Sequence, residues 1–116
     1  MIKEILYPHN PSSKNYKLWK KYYSGANGLM SIVIKSKKKS SVIKFINSLE
    51  LFGIGYSWGG FESLIILQEL RSASKYTKKR NYFRFSKDEH VVRLHIGLED
   101  PKDLIEDLKK SLKYIK

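Results

Sequence analysis

The chain has no cysteine. That excludes disulfides, thiolate nucleophiles and cysteine-based zinc or iron–sulfur sites in one step. A chain without thiols fits a reducing compartment, and with neither a membrane helix nor a secretory signal in the sequence a cytoplasmic location is the default expectation. Long apolar runs are missing too: none approaches the roughly 18 residues of a membrane helix. The opening Met1-Ile2-Lys3-Glu4-Ile5-Leu6 lacks the apolar stretch of a secretory signal. Histidine is sparse, and His9, His90 and His95 are too dispersed to suggest a metal site. No P-loop, GxSxG or HExxH string occurs. Acidic residues are few, 11 against 23 basic ones, which leaves a net charge of +12. Such a charge can serve a nucleic acid or an anionic membrane surface. Here lysine, isoleucine, asparagine and tyrosine are all plentiful, the spelling of an A- and T-rich genome, and the charge is read as compositional.

What remains is enough for one domain. The chain has 116 residues, 41% of them hydrophobic, and a chain of that size buries roughly two-thirds of its unfolded surface. Ile2–Leu6 alternates weakly and reads as a strand stopped by Pro8, Asn10 and Pro11. Tyr16, Trp19 and Tyr23 stand at helical spacing and predict a short amphipathic helix over residues 15–23. Residues 29–34 form a buried strand around Ile32, Val33 and Ile34. Ser40 or Ser41 caps a helix with Val42, Phe45, Ile46 and Leu49 on one face, and Gly53 ends it in a left-handed turn. Residues 54–58 are a strand candidate broken by Gly59-Gly60, and residues 63–67 another. Residues 71–89 are polar and basic, a long loop with room for a strand around 82–85. In residues 91–96, Val92, Leu94 and Ile96 point one way and Val91, Arg93 and His95 the other.

The last helix has the clearest signal. Asp100 is its cap and Pro101 its first residue. Leu104, Ile105, Leu108, Leu112 and Ile115 form one face. Asp103, Glu106 and Asp107 lie near its start and Lys109, Lys110 and Lys113 near its end, an order that suits the helix dipole. The whole order predicts an α+β fold, a small and mostly antiparallel sheet with helices packed on one face.

Two places could carry chemistry. Arg93 sits mid-strand, where a guanidinium on a rigid mount can hold a carboxylate with two parallel hydrogen bonds. Position alone favours the plainer alternative, a surface arginine on a solvated sheet face. Tyr56-Ser57-Trp58-Gly59-Gly60 combines two aromatics and a hydroxyl with paired glycines. Paired glycines let the backbone turn sharply or approach a ligand closely, but a strand ending in a plain turn has the same composition. His95 shares the face of Arg93 and is read as structural. Ser72-Ala73-Ser74-Lys75-Tyr76 is similar to the segment around a cofactor-binding lysine, but it lies in a basic, loop-like stretch and is read as a coincidence.

Taken in order, Trp19-Lys20-Lys21-Tyr22-Tyr23-Ser24-Gly25, Gly28-Leu29-Met30-Ser31, Ser57-Trp58-Gly59-Gly60-Phe61-Glu62-Ser63-Leu64 and Arg93-Leu94-His95-Ile96-Gly97-Leu98-Glu99-Asp100 resemble the C-terminal part of cystathionine β-lyase. The resemblance runs over nearly the whole chain. It implies the small, C-terminal domain of a fold-type-I enzyme of trans-sulfuration that uses pyridoxal 5′-phosphate to split cystathionine into homocysteine, pyruvate and ammonia. It implies that Arg93 holds the α-carboxylate of an amino-acid substrate and that Tyr56, Ser57 and Trp58 line the same pocket, which overturns the plainer reading of Arg93. The family's phosphate cradle, ring-nitrogen aspartate and Schiff-base lysine would precede residue 1, and the Lys75 string lies after the Ser-Trp-Gly-Gly motif where the family's lysine lies before it. The expectation is therefore a piece that binds no cofactor and has no turnover by itself, has a separately encoded large domain as a candidate partner, and self-associates. A small basic nucleic-acid-binding module, drawing on the charge and on Tyr82, Phe83 and Phe85, is the alternative. A free carboxylate sensor built on the same arginine is a third.

Overall fold

A computed structural model describes residues 1–69 and 85–116. The string at 72–76 and the predicted strand at 82–85, apart from Phe85, lie outside the described residues. The described elements are β1 (Ile2–Leu6), α1 (Tyr16–Tyr22), β2 (Leu29–Lys35), α2 (Lys39–Asn47), β3 (Gly53–Ile54), β4 (Leu64–Leu67), β5 (Glu89–His95) and α3 (Pro101–Leu112). The five strands form one sheet in the order β1-β2-β5-β4-β3. All neighbours are antiparallel except the short β3–β4 pair, as the sequence predicts for an α+β fold.

Alternation along β2, β4 and β5 divides the sheet into two faces. Ile32, Ile34, Ile65, Val92 and Leu94 join Val42, Phe45 and Ile46 of α2, Phe52, and Leu104 of α3 in the core. On the other face, Val33, Ile66, Val91 and His95 are also buried, so this side is not the solvated sheet face that position alone suggested for Arg93. β5 is the middle strand, and Arg93 pairs across the ladder with Ser31 of β2 and Ile66 of β4.

Several predicted boundaries move, each for a local reason. Lys38, not Ser40 or Ser41, is the N-cap of α2. Its carbonyl accepts from the Ser41 N–H at 3.0 Å, which places both serines inside the first turn. The helix ends at Asn47, where the Ser48 amide and hydroxyl both reach the Phe45 carbonyl, so Gly53 is free to begin β3 instead of closing α2. The strand expected over 54–58 stops at Ile54. The Gly55 N–H still reaches the Ile65 carbonyl of β4 at 3.4 Å, and from Tyr56 to Gly60 the backbone groups bond to side chains of β5 instead. α1 buries no residue fully, and Tyr23 falls just past its end, 66% exposed.

In α3 the Asp100 carboxylate accepts from the Lys102 N–H at 2.8 Å and Pro101 is the first helical residue, as read from the sequence. Leu104, Leu108, Leu112 and Ile115 pack against the core as expected, but Ile105 is 51% exposed while Asp107 and Ser111 are buried. The cause is polar. Asp107 accepts the N–H groups of Glu50 and Leu51 at 2.9–3.1 Å, and the Ser111 hydroxyl donates to the Ser48 carbonyl at 3.2 Å. These bonds close the otherwise open backbone after α2. Among the described residues no helix is long and apolar enough to cross a membrane, and no cluster of metal-ligating side chains forms.

Candidate functional site

The site grows from β5 outward. Arg93 is half-buried on the central strand, and its Nη2 donates to the Tyr56 carbonyl. The guanidinium carbon lies 5.9 Å from the centre of the Tyr56 ring and 5.8 Å from that of Trp58. Both distances suit a cation over an aromatic face. Arg93, Tyr56 and Trp58 therefore meet in one place, although 37 positions separate Tyr56 from Arg93, and Ser57, between the two aromatics in sequence, is exposed. The three ion pairs among the described residues involve Lys3, Lys39 and Lys110, so no carboxylate among those residues neutralises Arg93. A guanidinium carries five N–H donors in a planar fork. Such a fork can hold a carboxylate with two parallel hydrogen bonds.

The loop that carries the two rings is pinned by groups which sequence reasoning undervalued. Gly59 has φ of +80°, a conformation that needs glycine. Its N–H donates to His95 Nδ1 at 3.5 Å, and His95 Nε2 lies 3.1 Å from the Gly60 carbonyl. Farther on, the Leu98 N–H donates to the Phe61 carbonyl at 2.7 Å. Glu99 accepts both the backbone N–H and the hydroxyl of Ser63 at 2.7 Å, and the Ser63 oxygen in turn accepts the Gly97 N–H at 2.8 Å. The two hydrogen bonds from Ser63, backbone first, hold the Glu99 carboxyl below its ordinary range. Strand alternation does place His95 beside Arg93, and that was the available signal. Glu99 follows the strand and has no periodic signature.

A second recess, of about 870 Å³, is lined by Tyr7, His9, Trp19, Tyr22 and Asn27 among others and shares none of the predicted site residues. His9 and Trp19 pack there with ring centres 4.3 Å apart and planes tilted by 42°, and the Tyr7 hydroxyl donates to the Asn27 carbonyl at 2.6 Å.

The profile of the Cys/Met metabolism PLP-dependent enzymes matches residues 1–113. The chain belongs to that family. Among curated relatives, an L-alanine/L-glutamate racemase of Wolbachia pipientis is 38% identical over 96% of the chain, and a cystathionine beta-lyase of Bordetella avium is 38% identical over the same share. A cystathionine beta-lyase of Escherichia coli is 36% identical over 92% of the chain. The chain spans only 26–27% of the length of these three proteins. In structure it resembles cystathionine gamma-lyase from Lactobacillus plantarum complexed with L-serine, with a TM-score of 0.74 over 98% of this chain and 29% of that one at 21% identity. A Campylobacter jejuni protein described as an O-acetylhomoserine (thiol)-lyase, which holds N′-pyridoxyl-lysine-5′-monophosphate, gives a TM-score of 0.70 at 30% identity over 97% of this chain and 23% of that one. Nothing in these matches points to a nucleic-acid-binding module.

The family's cofactor is pyridoxal phosphate, which needs an amine for its aldehyde, an anion cradle and a partner for its ring nitrogen. The groups gathered at Arg93 are two aromatic rings, a hydroxyl, a backbone carbonyl and an imidazole on the far side of the turn. Among the described residues they include neither an amine nor a carboxylate, so they do not fit the cofactor itself.

Proposed function

We propose that this chain is the carboxylate-gripping part of a pyridoxal-phosphate-dependent carbon–sulfur lyase acting on cystathionine. Arg93 clasps the α-carboxylate, and Tyr56, Ser57 and Trp58 wall the space the amino acid occupies. The observation that supports this best is an arginine on the middle strand with no anion among the described residues and two aromatic rings beside it. An arginine reads the α-carboxylate that every amino acid carries, so the choice of cystathionine comes from the lyases among the relatives. Elimination to homocysteine, pyruvate and ammonia requires an electron sink, which the cofactor supplies when bound.

The 116 residues alone therefore bind without turning over. One charge-assisted pair supplies only about 1.5–3 kcal/mol before the entropy of association is subtracted, so affinity for L-cystathionine falls in the millimolar range or weaker. Titration of the purified chain with L-cystathionine, followed by NMR, should shift the Tyr56–Trp58 amides, and Arg93→Ala should abolish the shifts. Equal response in Arg93→Ala defeats the reading. Pyruvate release with added pyridoxal phosphate should not exceed the rate of free cofactor, and a higher rate defeats the claim of inactivity.

The partner follows from the same surface. Ile54, Tyr56, Trp58, Phe61 and Leu98 are 63–85% exposed around the site, more apolar surface than a free domain keeps dry. A large pyridoxal-phosphate domain, on its own chain or joined to this one, would cover it, and a cytoplasmic location is part of the same reading. Without that cover the chain self-associates, and a clean monomer in sedimentation at high concentration overturns this point.

A further inference from the structure

β5 grips the 55–62 loop at two points. Arg93 holds the Tyr56 carbonyl. Two residues on, on the same face, the buried His95 meets two consecutive residues of the turn, the Gly59 N–H at Nδ1 and the Gly60 carbonyl at Nε2. Ser57 and Trp58 are strung between these anchors. From this juxtaposition we infer that His95 is a positioning residue, an imidazole fixed in one tautomer that sets the glycine turn and so holds Trp58 and Ser57 against Arg93. The inference rests on the carboxylate-binding reading of Arg93 and concerns how that site is kept in shape.

The tautomer follows from the partners. A backbone N–H can only donate, so Nδ1 must offer its lone pair to Gly59. A neutral ring with a lone pair on Nδ1 carries its proton on Nε2, and Nε2 faces a carbonyl that can only accept. Both contacts favour the same form, the one to the Gly60 carbonyl at 3.1 Å more strongly than the longer one to the Gly59 N–H at 3.5 Å. The geometry gives the ring a reason to be histidine: an apolar residue of the same size would leave both the Gly59 amide and the Gly60 carbonyl without that partner. Gly59 at φ +80° has no Cβ contact to hold it, so the imidazole takes over what side-chain packing does elsewhere in the chain. Glu99 and Ser63 fix the far end of the loop independently, which confines the effect of His95 to the turn.

The test uses the 116-residue chain. Long-range proton–nitrogen correlation on uniformly ¹³C,¹⁵N-labelled protein, with the His95 ring signals assigned through its own backbone, should show Nδ1 unprotonated and Nε2 protonated. A ring protonated on Nδ1, or on both nitrogens at neutral pH, overturns the inference and needs no variant to fold. In His95→Phe the Gly59 amide should exchange about three- to tenfold faster, the size of one net hydrogen bond, while Ile65 and Leu94 in the sheet exchange as in the wild type. His95→Asn keeps an acceptor where Nδ1 stands and should restore most of the Gly59 protection. Equal acceleration of sheet amides, or no rescue by asparagine, overturns the positioning role. L-cystathionine binding should weaken by the same factor in His95→Phe and recover in His95→Asn. If wild type and Arg93→Ala bind alike, the carboxylate reading fails, while tautomer and amide exchange still decide the role of His95.

Discussion

The two faces of β5 do different work with alternating residues. Val92 and Leu94 face α2 and α3 and vanish into a core whose largest fully buried side chain is Phe45. Arg93 and His95 face the opposite way and spend their side chains on the backbone of one loop. One face is held by apolar burial, which is non-directional and sums over many atoms. The other buries Val91 at its start and, at Arg93 and His95, adds a few directional contacts, each of modest net value. A strand that separates the two by simple alternation lets the recognition face change with little effect on the core. The strongest way to break this comparison is to show that the recognition face also carries the fold.

The largest effect belongs to the core. Phe45→Ala should destabilise the chain by about 3–5 kcal/mol, read as a lower urea midpoint. A loss below about 1 kcal/mol would show that the core is not where the stability resides. Next are the polar and steric fixtures at the rim. Asp107→Ala strips two backbone amides of their shared acceptor and should lose about 1–3 kcal/mol. Gly97→Ala should lose a similar amount, about 1–3 kcal/mol, from overpacking. A Cβ there would lie 2.2 Å from the Phe61 carbonyl oxygen and 2.6 Å from the Glu62 carbonyl carbon, so the loop has to move. In that variant the amide shifts should concentrate at 59–63, and shifts spread evenly into α2 would blur the division between the faces.

How much of this was legible depends on whether a signal repeats. α3, β2 and β5 were readable because apolar residues recur at fixed intervals, and the cap at Asp100 with Pro101 added a local marker. The four site residues were readable one by one, Arg93 by its strand position and Tyr56, Ser57 and Trp58 by their unusual string, but only the resemblance joined them into one pocket. The end of α2 and the length of β3 were misread because contacts made once decide them, a local one from Ser48 to the Phe45 carbonyl and long-range ones from the side chains of β5. The burial of Asp107 and Ser111 escaped for the same reason: their partners lie at residues 48–51, on another element.

Glu99 sharpens the comparison through pH. Its folded-state carboxyl titrates below its ordinary value of 4.5, chiefly because the Ser63 N–H and hydroxyl stabilise the charged form. A carboxyl depressed on folding contributes stability that is complete above its ordinary value and is lost as pH falls through the lowered one. Wild type should therefore exceed Glu99→Gln in stability at pH 7, and the gap should close on acidification below the ordinary carboxylate range. Glu89, also held below its ordinary value by Lys3, is present in both proteins and cancels in the difference. Urea midpoints at neutral pH and near pH 3 measure it, and a gap that does not change with pH removes Glu99 from the account.

The smallest expected change in stability is the most telling. Arg93→Ala removes one hydrogen bond to the carbonyl of Tyr56, a residue 70% exposed, where water can take the place of the guanidinium. The loss should stay under about 1 kcal/mol. The same substitution should erase the response to L-cystathionine. If Arg93→Ala instead unfolds the chain as readily as Phe45→Ala, the guanidinium is a structural strut and the two faces of β5 are not separable. If stability holds and the ligand response is lost, the face opposite the core exists to grip an anion, because a strut of no mechanical value has no other reason to be charged, half-buried and without a carboxylate among the described residues.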